Sequence, residues 1–404
     1  MKISGFSCFA LVVCAATAFL AGCGGSQPPI GAPGAIPQSR ASSSYGYNTL
    51  YSFGQRHDGL EPKAGLVDLN GTLYGTTYGG GKYVAGTVFS ISATGSEKVL
   101  YDFNTYNKHN DGAHPSASLI AVNGVLYGTT EHGGGLADDG TVFKVSAAGK
   151  ERVLHRFLGY YDRDGANPIA SLVAVKGKLY GTTSGGGANQ FYGTVFRITT
   201  SGKEKVLYSF GYYGNGAAPV ASLLDVNDTL YGTTQVGGGY TIYSGGTVFG
   251  ISAAGAEQKL YTFGYNGPNG SSPSAALLNV GGTLYGTAEG GGSYGGGAIF
   301  SITTSGDLET LYSFGNGSDG RYPFAPLLNV GGTLYGTASA GGVYGKGAVF
   351  SLTLSGNETV LHSFGYGSDG ATPLAGLIAV NGTLYGTTSA GGTYGDGTVF
   401  ALKP

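Results

Sequence analysis

The sequence predicts an all-β fold, a seven-bladed β-propeller of four-stranded antiparallel blades. The ring is expected to close by pairing the N-terminal strand, about residues 49–53, with the C-terminal blade. Three observations predict this. The tetrad Leu-Tyr-Gly-Thr occurs seven times, with its Tyr at Tyr74, Tyr127, Tyr180, Tyr231, Tyr285, Tyr335 and Tyr385, at spacings of 50 to 54 residues. Each interval holds four short runs rich in Val, Ile, Leu, Tyr, Phe and Thr, bounded by Gly, Asn or Pro. The two ends of the repeat array carry complementary parts of one blade.

Composition excludes the other readings of a glycine-rich chain. Gly supplies 79 of 404 residues, while 41% are hydrophobic and only 11% are charged. Disorder needs low hydrophobicity and high charge. Collagen needs Gly at every third position with abundant Pro, and only 14 Pro are present. A largely helical protein is excluded because each interior Gly costs a helix about 1 kcal/mol relative to Ala. A compact β protein with many turns remains.

The chain is expected to begin with residues 1–22 as a secretion signal. Lys2 gives a positive start, and Phe9 to Leu20 is an apolar run too short to span a bilayer as a helix. The run ends in Leu20-Ala21-Gly22-Cys23, which resembles the bacterial lipobox. That resemblance implies cleavage before Cys23 and lipidation of its thiol. Gly24 in place of Asp favours the outer membrane or cell surface within the same resemblance. The three Cys are Cys8, Cys14 and Cys23, so the mature domain has no disulfide and no Cys-based metal site. Residues 23–47 read as a lipid-anchored Gly/Pro/Ser linker, with Pro28, Pro29, Pro33 and Pro37 followed by Ser42, Ser43 and Ser44. Residues 48–404 are the expected propeller.

In the second repeat the four runs are Ser116–Val122, Val125–Thr130, Thr141–Ser146 and Arg152–Phe157, here strands a, b, c and d. Asn123-Gly124 joins a to b as a tight hairpin, a turn that needs positive φ. Equivalent pairs stand at Asn70-Gly71, Gly281-Gly282, Gly331-Gly332 and Asn381-Gly382. Pro-x-Ala-x-Leu opens strand a in every repeat, and small residues suit the innermost strand beside a channel. The array begins with a d-type strand, Thr49 to Phe53, and finishes with a c-type strand, Gly397 to Leu402. Pairing the two removes both free edges.

The copies of Asn-Gly-Thr-Leu-Tyr-Gly-Thr-Thr, Gly-Thr-Val-Phe and Leu-Tyr-Ser-Phe resemble the GloVer tandem repeat over about residues 49–404. That family implies export, a propeller-like array and assorted surface anchors. It implies no activity and no catalytic residues. A more distant similarity is to kelch, whose second strand also leads into a Gly-Gly loop.

Strand alternation sends the a–b and c–d turns to one face and the longer b–c loops and d–a crossings to the other. Variable loops on a rigid scaffold are where binding residues concentrate. The candidate ligand-face residues are His109, Asp111, His114, Glu131, His132, Asp138, Asp139 and Glu289, with Lys108 beside them. No spacing among them matches a metal motif, so no metal or other cofactor is assigned, and no catalytic residue is named. The recurring Asp58, Asp111, Asp164, Asn215, Asn269, Asp319 and Asp369 are read as turn caps, since one Asx per blade is too few for Ca²⁺. His155 and His362 are read as structural replacements for a strand-d Tyr. Exposed Tyr83, Tyr160, Tyr161, Tyr212, Tyr213, Tyr240 and Tyr294 are candidate contact residues.

The expected function is a lipid-anchored, non-enzymatic binding scaffold of the bacterial cell envelope. Its partner would be a glycan, a peptide or an envelope protein. Without clustered Lys and Arg it is not a nucleic-acid binder. Membrane contact is expected through the anchor only, and the propeller is expected to be a monomer. The alternatives are an extracytoplasmic hydrolase or lyase acting on a polysaccharide, and a purely structural surface protein.

Overall fold

The computed structural model describes residues 45–104, 111–159, 163–189, 191–239 and 244–404, and all regular structure among them is β-strand. Strands a, b, c and d of blade 1 are Val67–Leu69, Thr72–Thr77, Thr87–Ile91 and Glu97–Asp102. Those of blade 2 are Ile120–Val122, Val125–Thr130, Thr141–Ser146 and Glu151–Arg156. Blades 3 to 6 repeat this order, from Val173–Val175 to Glu358–Ser363. Blade 7 combines Ile378–Val380, Thr383–Thr388 and Thr398–Lys403 with the N-terminal strand Gly46–Ser52. Its pairing runs from Gly46↔Lys403 to Ser52↔Thr398, so ring closure is as expected, with the closing strand beginning three residues earlier than Thr49.

Strand a is shorter than its sequence run. In blade 2 only Ile120–Val122 pairs with strand b, where Ser116–Val122 was expected. The reason lies in the neighbouring blade. The Thr76 hydroxyl on strand b of blade 1 donates to the Ala117 carbonyl at 3.2 Å, taking an acceptor that a ladder bond would otherwise use. The same buried bond recurs at every junction, through Thr129, Thr182, Thr233, Thr287, Thr337 and Thr387. The last one, Thr387 to the Ala64 carbonyl at 2.9 Å, ties blade 7 to blade 1.

The core is seven separate layers, one between each pair of neighbouring blades. Each layer contains an edge-on or tilted Phe pair, from Phe53–Phe89 to Phe364–Phe400, with ring centroids 5.0 to 5.3 Å apart. The Gly of Leu-Tyr-Gly-Thr makes room for one of these rings. Gly75 pairs across the ladder with Phe89, and a Cβ on Gly75 would meet that ring at 2.6 Å. Beside it, buried hydroxyls pair strand b with strand c, as in Thr77–Thr87 at 2.8 Å. In blades 5 and 6 both partners are alanine, Ala288–Ala298 and Ala338–Ala348. Replacing both hydroxyls together leaves no buried donor without an acceptor.

Candidate functional site

The b–c loops and d–a crossings form one face, and they are joined to each other at all seven junctions. Gly59–Leu60 pairs with Gly79–Gly80, and Gly112–Ala113 with His132–Gly133. The remaining five junctions carry the same antiparallel pairing or a single bridge. A channel of about 490 Å³ opens among the Pro-x-Ala-x-Leu segments, with Lys63, Glu131, Gln235 and five serines, Ser274 among them, as its polar lining.

The residue before each of these prolines has an unexpected backbone. Glu61, His114, Asn167, Ala218, Ser272, Tyr322 and Thr372 all adopt φ between 53° and 59°, and none is glycine. Each amide donates to a carbonyl of the preceding blade, as His114 to Ala85 at 2.8 Å. Each carbonyl accepts from the residue that follows the Leu-Tyr-Gly-Thr-Thr (or -Ala) strand, as His114 from Glu131 at 3.2 Å. Two hydrogen bonds per residue hold a conformation that costs an L-residue about 1–2 kcal/mol. Sequence gave no sign of it, because left-handed positions are recognised by Gly or Asn and only Asn167 fits.

These strained residues interleave with the candidates. Tyr78 and His114 stack with centroids 4.7 Å apart, and Lys63 Nζ lies 3.3 Å from the Tyr78 ring centre. His114 meets His132 edge-on at 5.8 Å. His132 in turn approaches Glu131 at 3.6 Å and Asp138 at 3.9 Å. Asn167 Nδ2 donates to the Glu131 carbonyl at 3.2 Å. His114, Glu131, His132 and Asp138 are therefore one cluster between blades 1 and 3. Glu289 belongs to a second cluster, where Gln235 donates to Ser274 Oγ and Ser274 donates to Glu289 Oε2. Burial holds the Glu289 carboxyl above its ordinary range, and the hydrogen bonds from Ser274 and Gln235 partly offset this. Burial also raises Asp139, with Asp138 and Asp164 adding to it. Cys23 and His109 lie outside the described residues, as do Lys108, Tyr160, Tyr161 and Tyr240.

Asp111 is buried within its own crossing. It accepts from the Tyr101 hydroxyl at 2.6 Å, the Asn104 amide at 3.2 Å and the Gly112 amide at 2.8 Å. Five of the seven recurring Asx residues are Asp, and each caps its loop and accepts from the strand-d Tyr or His. His155 and His362 make the bond that Tyr makes elsewhere, at 3.1 and 3.0 Å. A third member comes from the start of strand d in the next blade. Glu97 faces Asp58, Glu151 faces Asp111, Glu204 faces Asp164 and Glu358 faces Asp319. At the junction of blades 3 and 4 the polarity is reversed, and Asn215 donates to Glu257 at 2.6 Å. Where the crossing residue is Asn269, the corresponding position is Leu308. The Asp ring and the Tyr-to-His exchange are legible along the chain, and the Glu is not. The Glu lies about forty residues from its Asp, and its signal is joint occurrence with Asp across repeats.

Tyrosines crown this face. Tyr83, Tyr294, Tyr344 and Tyr394 are exposed in b–c loops, and Tyr213, Tyr265, Tyr322 and Tyr366 are exposed in crossings. Among the described residues, the group whose ligand atoms converge closely enough for a metal ion is His155, Asp164 and Glu204, outside the channel lining.

Comparison with solved structures finds a similar fold in distant proteins. A Mycobacterium tuberculosis puromycin-hydrolyzing peptidase is 11% identical with a TM-score of 0.50, over 80% of this chain and 49% of that one. A puromycin hydrolase is 11% identical with a TM-score of 0.52, over 82% and 50%. A europium-containing methanol dehydrogenase is 11% identical with a TM-score of 0.51, over 89% and 93%. The chain spans about half the length of the first two, and at this identity the likeness is one of fold. Comparison with curated proteins finds no match. The Gloeobacter/Verrucomicrobia repeat matches residues 34–191, 106–286 and 242–404, which together span the propeller. The chain belongs to the Gloeobacter/Verrucomicrobia repeat family.

Proposed function

We propose that the protein is a non-enzymatic binding scaffold of the bacterial envelope, anchored through Cys23 and presenting its channel mouth to a glycan, peptide or protein. The observation that supports this reading is the ring of seven left-handed residues before the prolines. The chain uses Gly for one residue in five, yet places none at these positions. Glycine there would be cheaper by about 1 kcal/mol each. Six of the seven, all but Ala218, retain a polar side chain at that cost, which favours a use for those side chains. The exposed tyrosines around the mouth supply broad contact area at low entropic cost.

The test follows from that cost. A variant of the full chain carrying His114→Gly, Tyr322→Gly and Thr372→Gly is expected to melt about 2–4 °C higher, as strain is relieved without loss of the backbone bonds. The same variant is expected to lose at least tenfold in affinity for whichever polysaccharide, peptide or envelope protein the parent binds in a screen. Unchanged affinity would remove the reading. The cluster of His114, His132 and Glu131 keeps a polysaccharide hydrolase as the second reading, and turnover lost in His132→Asn would favour it.

A further inference from the structure

At the junction of blades 2 and 3, three residues from three separate segments converge. His155 is on strand d of blade 2, Asp164 is on the crossing, and Glu204 opens strand d of blade 3. One ligand atom from each lies within 4.8 Å of the other two, and His155 Nε2 is 3.1 Å from Asp164 Oδ2. We propose that this triad is a binding site for one divalent transition-metal ion, zinc by the chemistry of its donors.

The donor set argues for zinc over calcium or magnesium. One imidazole nitrogen and two carboxylates suit Zn²⁺, which takes three protein ligands and leaves a fourth position for water. Calcium requires six to eight oxygens, which this junction does not supply. Glu204 Oε1 is buried and has no hydrogen-bond partner, so it is a free ligand atom. His155 and Asp164 keep 19% and 11% of their side-chain surface open, which leaves an approach from solvent. The field is negative, with Asp139 close enough to Asp164 for the two to repel. On binding, zinc takes the place of the hydrogen between Nε2 and Oδ2, the ring's one proton passes through solvent to Nδ1 so that the imidazole stays neutral, and any proton on Glu204 is released to solvent.

The other junctions are internal controls. Tyr51, Tyr101 and Tyr312 stand where His155 does, opposite an Asp and a Glu, and a phenol held far above neutral pH is no ligand. His362 and Asp369 repeat the first two members, but Tyr47 lies flat on the His362 ring at 3.8 Å, where the next blade would offer a Glu. The complete set therefore occurs once among the described residues.

The test uses the full chain, stripped with chelator and titrated with Zn²⁺ by calorimetry, with Co²⁺ as a spectroscopic probe. One equivalent is expected, with intense visible Co²⁺ bands of a four-coordinate nitrogen/oxygen site and a raised melting temperature. His155→Tyr restores the residue present at five other junctions and is expected to fold as the parent does while losing the bound equivalent. Glu204→Gln is expected to weaken binding more than tenfold, and a His114→Asn, His132→Asn variant to bind as the parent does. The proposal is overturned if the parent takes up no stoichiometric zinc, if His155→Tyr binds it unchanged, or if binding disappears only with His114 and His132.

Discussion

Deleting Gly46–Phe53 is expected to abolish the cooperative fold of the whole domain. The segment supplies strand d of blade 7, and its loss strips the outer pairing from Thr398–Lys403. It also removes Phe53 from the layer with Leu66, Leu73, Phe89, Ile91 and Val399, the layer that joins the last blade to the first. Tyr47 leaves the neighbouring layer with Phe364 and Phe400. Truncating one buried Phe costs about 3–5 kcal/mol. Losing this strand costs on the order of 10 kcal/mol, which matches the total stability of an ordinary domain. The expected readout is loss of the melting transition or a fall of more than 15 °C. Phe53→Ala alone is expected to lower it by about 5 °C, because a chain this long spreads each kcal/mol over a large unfolding entropy. A deletion variant that melts like the parent would show that the ring does not depend on closure.

Ring closure is legible in the sequence by arithmetic. A strand-d run without its blade at one end and a blade without its strand d at the other admit one economical pairing. The blades were legible for a related reason, since period-two alternation between Gly and Asn turns is a local property. What stayed hidden is what the twist of the blades decides. Gly95 shows this. Its φ of 87° marks the c–d turn of blade 1, and a Cβ there would also meet the Leu50 carbonyl at 2.4 Å. Only the stacking angle brings that carbonyl to the turn, and the same contact is made by Gly149, Gly202, Gly255, Gly306 and Gly356.

The candidate site divides in the same manner. The loop face and most of its polar residues follow from alternation and from departures from the repeat. The channel residues Lys63, Gln235 and Ser274 were readable in principle, since Lys63 and Ser274 fill the variable place in Pro-x-Ala-x-Leu and Gln235 that after Leu-Tyr-Gly-Thr-Thr. The left-handed ring was not readable, because Thr372 and Tyr322 are poor formers of that conformation and owe it to tertiary hydrogen bonds. His155 has two chemical identities for the same reason. Along the chain it replaces a Tyr, and its second carboxylate partner, Glu204, arrives from another blade.

The stability of this propeller is expected to fall as pH rises from about 4.3 to the folded values of about 7 to 8, a direction set by the carboxyls buried between blades. Burial and a facing Asp push Glu97, Glu204 and Glu358 up to about 7 and Glu151 to about 8. Each also leaves Oε1 buried without a hydrogen-bond partner, and Tyr101 and Arg156 at Glu151 and His155 at Glu204 offset the cost of ionisation only in part. A carboxyl whose folded pKa exceeds its unfolded value, about 4.3, binds its proton more tightly in the native state. Its contribution is complete below that unfolded value and is lost as pH passes the folded one. Each group is partly open to solvent, so screening reduces the effect to about 1 kcal/mol apiece. Four such groups in a domain of this size lower the melting temperature by about 5 °C between pH 5 and pH 9. Changing Glu97, Glu151, Glu204 and Glu358 together to Gln is expected to flatten that profile in zinc-free buffer and to raise stability at pH 9. The added amide donates to the facing Asp, as Asn215 donates to Glu257 where the polarity is reversed. A parent that melts higher at pH 9 than at pH 5 would overturn the assignment. So would a Gln variant that keeps the parent's slope, since the titrating groups would then lie elsewhere.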